Sequence, residues 1–148
     1  MISIAVVEDD QEYQKQLLQY IEQYGKEQEA QYKITVFQNG MNFLDDYKGD
    51  CDLIFMDIAM PHMDGMETAA KLRKRGDETC LIFITSMAQY ALKGYEVSAF
   101  DFLVKPLVYE LFCIKFEKAL SYIDKKEAYY IKIPNGAKKV SPGQIAYI

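Results

Sequence analysis

Apolar and polar residues run along this chain in two rhythms. Four short stretches, Ile2–Val7, Asp52–Met56, Leu81–Ile84 and Ala99–Val104, are rich in β-branched and aromatic residues and nearly free of charge. Continuous apolar runs of this length mark strands buried on both faces, as in a parallel sheet. A fifth strand is predicted over Tyr32–Phe37, with a turn at Asn39-Gly40 behind it. Between the strands the rhythm becomes helical. Gln11–Tyr24 carries Tyr13, Leu17, Leu18, Tyr20, Ile21 and Tyr24 at spacings of three and four. Short helices are predicted over Met41–Tyr47 and Ala88–Tyr95, and a longer one over Met66–Arg75, stopping near Gly76. The last, Glu110–Lys126, is expected to bury Leu111, Ile114, Phe116, Ala119, Leu120 and Ile123. Strand and helix alternating five times predicts an α/β, doubly wound five-stranded parallel sheet. The order 2-1-3-4-5 is one common solution, and it sets the first and third strands side by side.

The rhythm changes after the last helix. Residues 125–128 read as a charged linker, closing a first domain over 1–124. Tyr129–Ile133 reads as a strand, Pro134-Asn135-Gly136 as a turn, and Lys138–Val140 and Gln144–Ile148 as further strand segments. This short β-rich C-terminal extension, 129–148, is too small to bury a core of its own. It is expected to be the start of a second, truncated domain.

Half of the residues are hydrophobic, enough for a full core, and the formal net charge is -5. Phosphate contacts need clustered Lys and Arg, so such an acidic chain is a poor nucleic-acid binder through its own surface. No stretch approaches the roughly 20 apolar residues of a membrane span, and the N-terminus lacks the basic start of a secretory signal. Cys51, Cys80 and Cys113 are widely spaced among apolar residues, which predicts buried free thiols. A cytoplasmic location is expected.

The chemistry lies where the apolar runs end. Glu8-Asp9-Asp10, Asp57, Thr85-Ser86 and Lys105-Pro106 each follow a predicted strand, and ligands of open α/β sheets bind just beyond the carboxyl ends of strands. Three carboxylates brought together repel one another by roughly 4 kcal/mol per pair at about 4 Å and an effective dielectric near 20. Such a cluster calls for a hard cation, Mg²⁺, with Asp9 and Asp57 as direct ligands, Glu8 through water, and the backbone carbonyl of Ala59 as a further oxygen. Mg²⁺ at such an edge suits phosphoryl chemistry. Lys105 can pair with a phosphoryl oxygen and Thr85 can donate to another. The nucleophile is then Asp57 itself, since carboxylates form aspartyl phosphates.

With these residues in place, 2–123 resembles the receiver domain of two-component response regulators. The resemblance rests on Glu8-Asp9, on Asp57, Pro61, Asp64 and Gly65 in Asp-x-x-x-Pro-x-x-Asp-Gly spacing, on Thr85, and on Lys105-Pro106. It implies that Asp57 takes its phosphoryl group from a sensor histidine kinase. It further implies a cis bond at Pro106, a Thr85 drawn inward on phosphorylation, and a switch aromatic at Phe102. The face built from the segment over 88–95, the strand before Lys105 and the last helix would then pair with a second copy as a homodimer. The tail, from Tyr130-Ile131-Lys132-Ile133 through Gly136 to Ile145–Ile148, resembles the opening of a LytTR-type DNA-binding domain, whose DNA contacts would lie beyond Ile148. The implied protein is a signalling switch rather than an enzyme, acting on transcription. The rival is a stand-alone receiver serving as a phosphorylation-dependent adaptor. A phosphohydrolase with an Asp nucleophile would want an acid two residues past it, where Ala59 stands. Ala59 and Met87 also lack groups to orient water, which predicts slow self-dephosphorylation.

Other polar residues have plainer readings. Asp10 is expected to cap a helix, Asp45-Asp46 to be a solvated helix end, and His62 to lie on a surface loop. Ser86 is a spacer or a phosphate contact, and Tyr90 and Tyr95 could serve a partner.

Overall fold

The computed structural model describes residues 1–132. Five parallel strands, β1 (Ile2–Val7), β2 (Tyr32–Phe37), β3 (Leu53–Asp57), β4 (Cys80–Thr85) and β5 (Asp101–Val104), form one sheet in the order β2-β1-β3-β4-β5. This is the flavodoxin-like, doubly wound arrangement the sequence predicts. Strand side chains alternate between faces, and each face has its own core. Ile4, Val6, Leu53, Phe55, Ile82 and Ile84 meet α1 (Gln11–Glu27) and α4 (Tyr109–Lys132) on one side. Ala5, Val7, Ile54, Met56, Leu81 and Phe83 meet α2 (Gly40–Asp46), α3 (Gly65–Lys74) and a 3-10 segment over Ala88–Val97 on the other.

Local chemistry sets the helix starts. Asp10 caps α1, its carboxylate accepting from the N–H groups of Glu12 and Tyr13 at 2.9 and 3.3 Å. Asp64 caps α3 through Glu67 N–H at 2.8 Å. Each side chain satisfies amide groups that the helix itself leaves unpaired. Asp45 and Asp46 are exposed at the end of α2, and His62 is exposed in the loop before α3, with φ at 69°.

Three expectations need correction. In α4 the fully buried stripe is Phe112, Phe116, Ala119 and Ile123, whereas Leu111 and Ile114 are 54 and 50% exposed. Both sets have helical spacing, and the aromatic set wins because Phe112 and Phe116 interlock with Phe55, Tyr20, Tyr24 and Tyr32 across the first core. Only Cys80 among the thiols is buried; Cys51 and Cys113 are half-buried, and all three are free. Finally, α4 continues through Lys132, so the expected linker 125–128 and the opening of the expected strand Tyr129–Ile133 are helical. Extending a formed helix fixes one residue per hydrogen bond, and no helix breaker occurs before Pro134. The expected turn at 134–136 and the strand segments after it lie outside the described residues.

Candidate functional site

The parallel sheet delivers its polar groups to one edge. Glu8 follows the last residue of β1, Asp57 ends β3, Thr85 ends β4 and Lys105 follows β5. The edge is laced by main-chain bonds. Ile58 N–H donates to Ile84 O at 3.0 Å, and Lys105 N–H to Thr85 O at 2.7 Å. Gly65 lies against the end of β3, its N–H donating to Ile58 O at 2.8 Å. A Cβ at Gly65 would stand 2.2 Å from Asp57 O, so the close approach beneath Asp57 excludes any side chain there.

The acidic residues converge. Glu8, Asp9 and Asp57 each offer a carboxylate oxygen within 4.8 Å of the others. Glu8 and Asp57 are 1 and 2% exposed. Lys105 reaches in from the far side of the cluster, its Nζ 3.0 Å from Glu8 Oε1 and 3.4 Å from Asp57 Oδ2. Its ammonium also sits 4.1 Å from the centre of the Tyr13 ring, an attraction between cation and π face. Asp57 Oδ1 accepts from Ala59 N–H at 3.3 Å, and Glu8 Oε2 from Asp10 N–H at 3.2 Å.

One lysine cannot balance three clustered carboxylates, and the titration of the group reflects that. Burial, followed by the hydrogen bond with Asp57 and repulsion by it, pushes Glu8 up to about 8. Burial also raises Asp57, against the opposing pull of Glu8 and Lys105. Burial lowers Lys105, but the two carboxylates more than reverse that, and its net shift is upward. Glu8 Oε1 is buried, and its near partner is the Lys105 ammonium, which meets it as an ion pair outside hydrogen-bond geometry. An all-oxygen donor set of three clustered carboxylates with one lysine to balance them fits Mg²⁺ and its retained waters.

Thr85 is 1% exposed, and its hydroxyl is engaged by Met87, accepting from the N–H at 2.9 Å and lying 3.2 Å from the carbonyl. Phe102 is half-buried on β5, packed against the second core. The Lys105-Pro106 bond is cis. Ser86 is exposed, as is Tyr95, while Tyr90 is half-buried.

The profile of the response regulator receiver domain matches residues 4–115. The chain belongs to the response regulator receiver domain family. Receiver domains are signalling switches of two-component systems; they bind Mg²⁺ at an acidic pocket and are phosphorylated by histidine kinases. The sequence is 34% identical to the transcriptional regulatory protein PcoR of Escherichia coli over 109 residues, which is 72% of this chain and 46% of that protein. It is 31% identical to the sensory transduction protein LytT of Bacillus anthracis over 106 residues, 72% of this chain and 42% of LytT. The receiver thus spans less than half the length of these relatives. Among solved structures, response regulator TrrA from Thermotoga maritima, in complex with Mg²⁺-BeF, superposes with a TM-score of 0.69 at 27% identity, covering 80% of this chain and 99% of that one. The response regulatory domain of mrkE from Klebsiella pneumoniae gives 0.72 at 26%, covering 84 and 99%. Among the described residues no helix is long and apolar enough to cross a membrane.

Three residues of consequence escaped the sequence reading. Tyr13 lies at helical spacing with the apolar residues of the first helix, yet its ring covers Lys105. Arg73 spans α3, the loop before β4 and the end of the 3-10 segment, donating to the carbonyls of Val97, Asp77, Thr79 and Ser98. Lys115 on α4 contacts Asp101 and Phe102. The contacts of Tyr13 and Lys115, and those of Arg73 with Val97 and Ser98, join separate elements, so no local pattern announces them.

Proposed function

We propose that Asp57 accepts a phosphoryl group from the phosphohistidine of a sensor histidine kinase and that this receiver thereby controls transcription. The observation that carries the reading is the buried Asp57 carboxylate, held between Lys105 and an acidic pair with a donor set suited to Mg²⁺. In the transfer, a carboxylate oxygen of Asp57 attacks phosphorus. The P–O bond forms as the P–N bond to the kinase imidazole breaks, and the electron pair stays with the imidazole nitrogen. Asp9, Asp57, Glu8 through water and the Ala59 carbonyl would hold Mg²⁺, which supplies neutralisation of charge on the phosphoryl oxygens. Lys105 pairs with one phosphoryl oxygen as a point charge. Thr85 exchanges its bonds to Met87 for a bond to another, and Phe102 follows it as the switch aromatic. The apolar face bearing Leu92, Tyr95, Val104, Leu111 and Ile114, each at least 42% exposed, is the surface that pairs with a second copy.

The transcriptional output is supported by the name of PcoR, a transcriptional regulatory protein, and the LytTR type by the similarity to LytT. That output belongs to a LytTR-type DNA-binding domain that begins after Lys132, the end of α4, and DNA is contacted by that domain rather than by the receiver. Ala59 and Met87 leave the aspartyl phosphate without a side chain to orient water, so it hydrolyses slowly; a lifetime of seconds in the isolated protein would refute that. Intact mass after incubation with Mg²⁺ and acetyl phosphate, on the parent and on Asp57→Ala with sizing of both, tests the whole reading. A phosphoryl adduct on the parent alone is expected, with a shift to dimer; an adduct on both proteins, or on neither, would refute it.

A further inference from the structure

The side chain of Lys115 reaches across from α4 to β5. Its ammonium lies 3.2 Å from Asp101 Oδ1, donates to the carbonyl of Phe102, and sits 4.4 Å from the centre of the Phe102 ring. Asp101 Oδ1 also accepts from Phe102 N–H at 2.8 Å. Phe102 also lines a cavity of about 410 Å³ between β4, the 3-10 segment and β5, with Phe83, Ala88, Leu92 and Ala99 among its other walls. The ring thus borders both the ammonium and that cavity, so a ring released from the first has the second beside it.

These contacts differ in what they discriminate. The bonds to Asp101 and to the main-chain carbonyl are independent of the Phe102 rotamer and persist wherever the ring points. The ring contact alone is lost when the ring leaves. A group biases a two-state equilibrium only by the contacts that differ between the states. We infer that Lys115 is a positioning residue for the switch: held by Asp101, it retains the Phe102 ring in the arrangement described here and opposes its move into the cavity. This rests on the reading of Asp57 as phosphoacceptor and Phe102 as switch aromatic. It assigns the resting bias of the switch to a lysine remote from the acidic cluster.

The test compares initial rates of phosphorylation by acetyl phosphate with Mg²⁺ in the parent, Lys115→Met, Lys115→Arg, Phe102→Leu and the Lys115→Met/Phe102→Leu pair, with dimer fraction read alongside. Lys115→Met keeps the aliphatic stem and removes the charge. It is expected to phosphorylate about three- to tenfold faster, the range of a half-buried cation–ring contact, while Lys115→Arg stays at the parent rate. With Phe102→Leu already in place, Lys115→Met should change nothing, because no ring remains to be held. An unchanged rate in Lys115→Met overturns the inference, as does equal acceleration with and without the Phe102 ring. A loss of dimer at constant rate would assign Lys115 to the interface instead and also overturn it. No adduct on the parent would refute the phosphoacceptor reading itself, and the latch with it.

Discussion

Removing divalent cation and raising the pH from 6 to 8 should destabilise this domain through buried Glu8 and its neighbour Asp57, whose carboxyl burial also raises. The Glu8 carboxyl is 1% exposed and, in the absence of metal, is pushed up from 4.5 to about 8 by burial and by Asp57. In the unfolded chain the same group ionises near its ordinary value. Between these two pH values the folded protein therefore holds a proton that the unfolded chain has released, so stability must fall as pH rises. The contribution is fully present below about pH 4.5 and is lost through about 8. Integrated from pH 6 to 8, a shift of this size amounts to about 2 kcal/mol, a large part of the stability of a small domain. Above pH 8, Cys51 and Cys80, pushed up by burial to about 11 and about 12, add losses of their own, so the window ends there. Urea unfolding in the presence of chelator, at matched ionic strength, measures the effect directly. The parent should lose about 2 kcal/mol across the window, Glu8→Gln should lose far less, and saturating Mg²⁺ should abolish the fall because it favours ionised Glu8. A parent whose metal-free stability is flat or rises with pH, or a Glu8→Gln protein with the same slope, would refute the argument.

Three further outcomes follow from the packing. Phe112→Ala should cost about 3–5 kcal/mol in urea unfolding, the usual penalty for deleting a fully buried ring, while Leu111→Ala next to it should stay within about 0.5 kcal/mol. Gly65→Ala places a Cβ 2.2 Å from Asp57 O and should slow phosphorylation by acetyl phosphate at least about tenfold through misplacement of the nucleophile, with far-UV circular dichroism retained. Arg73→Met abandons four carbonyl partners; it should lower stability by at least about 3 kcal/mol and speed amide hydrogen exchange around Val97 and Ser98.

The central strands β1, β3 and β4 were legible because they are largely buried on both faces, which leaves uninterrupted apolar runs that no amphipathic helix imitates. The bounds of β1 and β2 agree with the prediction residue for residue. The acidic cluster and Lys105 were legible for a related reason: in a parallel sheet the residue after each strand arrives at one common edge, so position in sequence stands in for position in space. Helix orientation was less legible. Leu111 and Ile114 are as apolar as Phe112 and share its spacing, and only the opposing rings of Phe55 and Tyr24 decide which stripe turns inward. The extension of α4 to Lys132 was missed because Tyr129, Tyr130 and Ile131 favour strands in isolation but here extend a helix already nucleated upstream.

That extension has a mechanical consequence. The segment of α4 from Phe112 to Ile123 is seated in the core, and the same rod continues without interruption to Lys132. An α-helix turns about 100° and advances about 1.5 Å per residue. The azimuth at which the chain leaves Lys132 is therefore set by the residue count between the core and that point. Deleting one residue near Lys125 would swing the attached segment about 100° around the axis, and deleting seven would return it close to its original bearing, about 10 Å nearer. The rod converts sequence length into orientation, so output from this receiver should depend on the phase of α4 as well as on its contacts.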